Sequence, residues 1–231
     1  MIKILPNSRD LARAAAGLFV ERGRGSVALS GGSTPKLLFE LLADPNEPFR
    51  DRIAWPDIHF FWSDERHVPP DHPDSNYRMA NEAMLSRVPV AKNNVHRVPS
   101  ENQSAVEAAS EYEQTLIETT QQLLPQLDLI LLGLGPDGHT ASIFPGSEVL
   151  HETKRLVVAP WVEKFQTYRI TMTLPLLNNG ALIVFLVSGS EKAKIVKEVL
   201  EGPEQYPAQA VTPTNGELLW LLDQDAASEI R

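Results

Sequence analysis

The 231-residue sequence contains no cysteine. That excludes a disulfide scaffold, a thiolate nucleophile and any cysteine-ligated metal. It also lacks a long apolar run, and no window approaches the roughly 18 residues of a membrane-spanning helix. Basic residues are in deficit, with 21 Lys and Arg against 30 Asp and Glu, a formal charge of −9. Nucleic acid and anionic membrane are therefore not expected as partners, and an anionic ligand must be held by local groups. Two catalytic signatures are absent as well. Without G-x-S-x-G a serine hydrolase is not expected. Without H-E-x-x-H no metal is expected either, despite the neighbouring His67 and His72. The N-terminal stretch does not read as a signal peptide, because Asn7, Arg9, Asp10 and Arg13 interrupt its apolar residues. The expectation is a soluble, cytoplasmic protein.

What is present is an alternation. Apolar residues make up 42% of the chain, enough for a sizeable core, and the length suits one domain over 1–231. Strands are expected at Ile2–Leu5, Ser26–Ser30, Ile58–Asp64, Asn94–Pro99, Leu127–Gly133 and Ala181–Gly189, with a last one in GELLWLLD. Helices are expected at Asn7–Glu21, from Pro35 behind a Thr34 cap, and at Ser75–Arg87, Ala105–Leu124 and Glu191–Leu200. Strands apolar on both faces and interleaved with helices imply an α/β fold, a mostly parallel sheet covered by helices on both faces. Ligands of such sheets bind beyond the carboxyl ends of the strands, so the loops there carry the candidate chemistry.

In SGGSTP, glycines and hydroxyls at a helix start make Gly32, Ser33 and Thr34 candidates for holding a phosphate. In SDERHVPPDHPDSNYRMA, Asp64 and Arg66 lie nearest the strand end. In LLGLGPDGHTASIF, Gly133, Gly135 and Gly138 spell a G-x-G-x-x-G. The loop is a poor dinucleotide site, because Asp137 is an anion and Pro136 lacks a donor N–H. It is also a poor P-loop, because His139 stands where the phosphate-binding lysine would be. What remains is a histidine presented beside an aspartate. Imidazole is the side chain whose ordinary titration spans neutrality, and Asp137 can select its tautomer. Lys192 lies near a helix start, against the macrodipole, where a bound anion would suit it. In YRITMTLP, alternation places Arg169, Thr171 and Thr173 on one face and offers Arg169 as a bidentate phosphate contact.

Taken together these stretches resemble the 6-phosphogluconolactonase family, in the family's order and over nearly the whole chain. The resemblance implies a glucosamine-6-phosphate isomerase-like fold, a modified Rossmann sheet. It implies hydrolysis of 6-phospho-D-glucono-1,5-lactone, the second step of the oxidative pentose phosphate pathway, with neither cofactor nor metal. It also implies His139 as the base, Asp137 beside it and Arg66 in the active site. The phosphate would be held by the Ser33/Thr34 loop, Arg169 and Lys192. The small-molecule partner is then a sugar-phosphate lactone, and a monomer or a small homo-oligomer both fit. One alternative is the amino-sugar-phosphate deaminase branch of the same fold, which carries an aromatic residue in place of Arg66 and Asn-Glu-Pro after the D-G-H loop. Here that stretch reads Ile143-Phe144-Pro145, without the carboxylate. Another alternative, a non-catalytic sugar-phosphate-binding module, would not need Asp137, His139 and Arg66 together.

Overall fold

The computed structural model describes residues 1–230, and in it the apolar runs become strands. β1 (Ile2–Leu5) is followed by α1 (Ser8–Arg22), β2 (Ser26–Leu29), α2 (Ser33–Ala43) and β3 (His59–Trp62). β4 (Asp64–Arg66), α3 (Asn76–Ala83) and α4 (Ala105–Thr120) lead to β5 (Leu129–Leu132). Next come β6 (Val157–Val158), β7 (Trp161–Val162), β8 (Thr167–Met172) and the one-turn α5 (Leu174–Leu177). The chain closes with β9 (Leu182–Val187), α6 (Ala193–Glu201) and β10 (Glu217–Asp223). Six strands form one sheet in the order β1-β10-β9-β5-β2-β3, every neighbouring pair parallel. Helices flank it, and β2, β5 and β9 are buried along their whole length, as the unbroken apolar sequences of β5 and β9 require. Phe185 of β9 stacks on Trp220 of β10 at 3.9 Å, and Phe19 of α1 meets Trp55 and Phe60. Burying a phenylalanine side chain contributes roughly 1.5–3 kcal/mol.

The strand order fixes where a ligand can enter. From β2 the chain moves outward to β3, then returns past β2 to β5. The loops after β2 and β5 therefore depart in opposite directions and leave a crevice at the carboxyl edge. The loop after β2 differs from the expected one. α1, α3 and α4 are capped by Asn7, Ser75 and Ser104, each accepting a backbone N–H three residues on. In α2 the helix starts at Ser33, not Pro35, and its N-cap is Gly32 rather than Thr34. Gly32 has φ 108°, which glycine adopts without strain, and no side chain caps the first turn.

A second, four-stranded sheet was not anticipated. The expected strand Ile58–Asp64 stops at Trp62, because Ser63 is a pivot between the sheets. Its N–H donates to the Leu29 carbonyl at 2.8 Å, while its own carbonyl accepts from the Met172 N–H at 2.9 Å. β4 then runs antiparallel to β8, which also pairs with β6 and β7. The stretch Asn94–Pro99 is not a strand; it keeps one bridge, Val95 to Phe60, and Pro99 lacks the N–H that a ladder needs. α4 ends at Thr120 rather than Leu124, where Gln121 turns left-handed at φ 57°. α3 ends at Ala83 and is followed by a 3₁₀ turn, Leu85–Arg87; α6 begins at Ala193, after the 3₁₀ turn Ser190–Lys192. Among the described residues no helix is long and apolar enough to cross a membrane.

Candidate active site

The loop after β5 folds back on itself. The Gly135 N–H donates to the His139 carbonyl at 2.8 Å, and the Gly138 N–H to the Gly135 carbonyl at 3.0 Å. The His139 ring lies directly over Gly135, where an added Cβ would stand 2.0 Å from Nδ1. The glycine serves the close approach of an imidazole. His139 Nδ1 stands 2.5 Å from Asp137 Oδ1. With a carboxylate there, Nδ1 carries the hydrogen and Nε2 keeps its lone pair. Burial works to raise the Asp137 carboxyl, but the hydrogen bond and charge of His139 outweigh it and hold the group below its usual range. The other Asp137 oxygen lies 3.4 Å from Lys164 Nζ. Phe144 packs against the imidazole with ring centroids 4.3 Å apart.

Opposite this pair is the cationic side. β4 and β8 pair so that Arg66 faces Arg169 and Asp64 faces Thr171, which puts two guanidiniums side by side. Burial and then the charge of Arg66 pull the Arg169 guanidinium down, although arginine stays charged in any such setting. Arg66 donates Nη1 to the Asp74 carbonyl at 2.6 Å, and Lys192 donates Nζ to the Leu134 carbonyl at 2.9 Å. The Nε atoms of Arg66 and Arg169 are buried without a partner, as is the Ser30 hydroxyl. Unpaired buried donors are costly, and three around one crevice mark it for an acceptor-rich ligand. This gathering of cations stands out in a chain of net charge −9.

Between the two sides runs a polar floor. Asp64, only 8% exposed, accepts from Ser142 Oγ at 2.6 Å and from the Asn76 amide at 3.3 Å. The buried Glu65 accepts from the N–H groups of Arg66, Asn76 and Tyr77 and from the Ser75 hydroxyl. Burial pushes its carboxyl up, against those backbone donors. Glu65 thereby fastens the start of α3 beneath Arg66. The cleft holds about 280 Å³ and is lined by Ser30, Gly31, Gly32, Asp64, Arg66, His139, Arg169 and Lys192, among others.

Of the residues singled out in the sequence, Gly32, Arg66, His139, Arg169 and Lys192 line this cleft together. Asp137 stands behind His139, and Ser33 and Thr34 sit in the first turn of α2, one step beyond the lining. His67 and His72 are engaged elsewhere, His67 with the Asn102 carbonyl and His72 with the Asp74 N–H. No cluster of three metal-ligating side chains occurs among the described residues. Ser30, Asn76, Ser142 and Lys164 were missed; the first three stood inside stretches already marked, and Lys164 alone lay outside them. A larger groove of about 900 Å³ adjoins at Asp137 and Phe144. Arg155 there is partnered with Glu152 and Glu163 with the Trp161 indole, and neither Arg66 nor Arg169 lines it, so the smaller cleft is the candidate site.

The chain matches the family described as glucosamine-6-phosphate isomerases/6-phosphogluconolactonase over residues 7–220. It is 44% identical over 217 residues to a 6-phosphogluconolactonase of Synechocystis, covering 91% of this chain and 87% of that one. It is 40% identical to the chloroplastic 6-phosphogluconolactonase 3 of Arabidopsis thaliana, over 96% of this chain and 71% of that protein. Among solved structures, the devB protein superposes with TM-score 0.92 at 36% identity over the whole of both chains. The 6-phosphogluconolactonase of Trypanosoma brucei superposes with TM-score 0.83 at 27% identity, over 100% of this chain and 98% of that one. A monomeric glucosamine-6-phosphate deaminase shares the fold with TM-score 0.82 at 21% identity. With the family match spanning nearly all of its strands and helices, the chain belongs to the glucosamine-6-phosphate isomerase/6-phosphogluconolactonase family.

Proposed function

We propose that this protein is a 6-phosphogluconolactonase, hydrolysing 6-phospho-D-glucono-1,5-lactone to 6-phosphogluconate in the oxidative pentose phosphate pathway. The observation that carries the reading is one cleft with a carboxylate-held imidazole on one side and three cations on the other. Arg169 and Lys192, with the Gly32–Thr34 turn, hold the phosphate. His139 Nε2 takes a proton from water as its oxygen attacks the lactone carbonyl carbon. Negative charge builds on the carbonyl oxygen and is stabilised by Arg66. The intermediate collapses with cleavage of the bond to the ring oxygen, which takes the proton from the imidazolium. Asp137 keeps the Nδ1 hydrogen in place and balances the imidazolium while it exists. Names of relatives at up to 44% identity support the substrate. The deaminase reading is disfavoured because no carboxylate stands before Pro145.

The test is an assay of the purified protein on freshly generated lactone, with spontaneous ring opening subtracted. A rate above background on the phosphorylated lactone and none on glucosamine-6-phosphate is expected. Turnover of the amino sugar with an inert lactone would reverse the assignment.

A further inference from the structure

Lys164 lies outside every stretch that drew attention in the sequence, yet it touches the centre of the proposed chemistry. It sits at the tip of the β7–β8 hairpin, in the 3₁₀ turn Glu163–Phe165, which Gln166 closes at φ 49°. The turn is braced. The Trp161 indole donates to Glu163 Oε2 at 2.8 Å, and the Gln166 amide donates to Glu163 Oε1 at 2.7 Å. Trp161 packs edge-on against Tyr168 at 5.0 Å, and the Arg169 N–H donates to the Pro160 carbonyl at 3.0 Å. The adjacent carboxylate, Glu163, is thus occupied by neutral donors. The Lys164 ammonium instead reaches across to Asp137 Oδ2 at 3.4 Å, while Oδ1 of the same carboxylate holds His139 Nδ1 at 2.5 Å.

The side chain of Lys164 is 58% exposed. Pairs so exposed contribute about 0–1 kcal/mol to stability, so folding gives little reason for this one. Its electrostatic position says more. A cation behind the carboxylate opposes the pull of that carboxylate on an imidazolium, while restricting how the carboxylate can rotate. We propose that Lys164 is a positioning residue for His139: it clamps the outer oxygen of Asp137, fixing the inner oxygen on Nδ1 and keeping the imidazole in its proton-accepting form. This rests on the reading of His139 as the base. The other charged groups facing the loop are Asp64 and Arg66 from β4, Arg169 from β8, Lys192 before α6 and Glu163 beside Lys164. Those groups stay in place when Lys164 alone is changed.

The experiment measures kcat/KM against pH for Lys164→Met, Lys164→Arg and His139→Gln beside the unaltered protein. Without the ammonium the imidazolium forms more readily, so activity falls away sooner as pH decreases. The acidic limb in Lys164→Met is expected to move up by about 0.3–0.7 pH unit, the scale of one charge acting through a water-like medium. KM should stay nearly constant, Lys164→Arg should restore the limb, and molar salt should shrink the difference. An unmoved limb in Lys164→Met overturns the proposal. So does a raised KM with an unmoved limb, which would make Lys164 a ligand contact. If His139→Gln keeps its turnover, the underlying base assignment has failed instead, and the two failures are told apart.

Discussion

Two histidine pairs occupy opposite ends of the large sheet, and they meet opposite partners. At the carboxyl end, His139 Nδ1 lies 2.5 Å from a carboxylate. At the amino end, where β3 begins, His59 Nδ1 lies 2.8 Å from His96 Nε2, with the rings stacked and Phe61 against His96. Each pair contains a half-buried, hydrogen-bonded imidazole. In the first, protonation creates an ion pair with Asp137. In the second, it sets two donors against each other in a partly desolvated place. Burial, then the charge of His59, lowers His96 to about 4. The same side chain is therefore equipped to take a proton at one end and hindered from doing so at the other. Residue type alone does not decide this; the partner does.

The largest effect should come from removing the proton acceptor at the carboxyl end. His139→Gln keeps a hydrogen-bonding side chain but cannot act as a base, and turnover should fall by about 10²–10⁴-fold. Melting temperature and affinity for 6-phosphogluconate should be unchanged. Near-normal turnover would make the D-G-H loop architectural and redirect the search for a base to Asp64.

Changing the partner rather than the histidine should cost less. Asp137→Asn removes the charge that balances the imidazolium and lets the amide favour the other tautomer, so a loss of roughly 10–10²-fold is expected, smaller than where a triad aspartate is replaced. It should appear in kcat more than in KM. If Asp137→Asn matches the original rate at every pH, the carboxylate is not what distinguishes the two histidine pairs.

How much of this contrast was legible in the sequence follows from the reach of each interaction. Asp137 and His139 are two residues apart, and their glycine-rich setting at a strand end marked them at once. The parallel sheet was equally plain, because strands such as Leu129–Leu132 and Leu182–Val187 are apolar on both faces. The small sheet was not, because β4 is three residues of charge, Asp64 to Arg66, whose extended form depends on β8 a hundred residues later. Its failure to register hid the pairing of Arg66 with Arg169, although alternation had put Arg169 on the right face. Lys164 and Ser142 could not be read, since their significance lies in reaching Asp137 and Asp64 across the fold. The His59–His96 contact was equally invisible, being made between a strand and a loop 37 residues on.

The cations facing His139 offer the next sharpening, since they should act on binding where the histidine acts on turnover. Arg169→Ala and Lys192→Ala each remove a charge-assisted contact worth roughly 1.5–3 kcal/mol, or about one to two decades in kcat/KM. Part of the loss should appear in kcat, because remote binding energy helps position the reacting carbonyl. The decisive measurement is the ratio of activities on phosphorylated and unphosphorylated gluconolactone. That ratio should collapse in both variants; a ratio equal to that of the original protein would show that neither residue reads the phosphate.

The smallest effect belongs to the amino-end pair and concerns stability, not rate. In the unfolded chain His96 would titrate near its ordinary value of 6.5, whereas in the fold it is lowered to about 4. Between those values the unfolded state binds more protons than the folded one, so stability rises with pH across the window. The contribution is fully present above about 6.5 and drains away as pH falls toward 4. The full shift overstates its size, because water still reaches the half-buried pair; about 1 kcal/mol is a reasonable scale after that discount. Thermal melts at pH 7 and pH 4.5 should therefore differ more for the original protein than for His96→Gln, which has nothing to protonate at that position. Carboxylates titrating below pH 5 contribute to both proteins and cancel in the comparison. Equal drops in melting temperature would mean that the stacked imidazoles accept a proton together without penalty, and the contrast with His139 would rest on Asp137 alone.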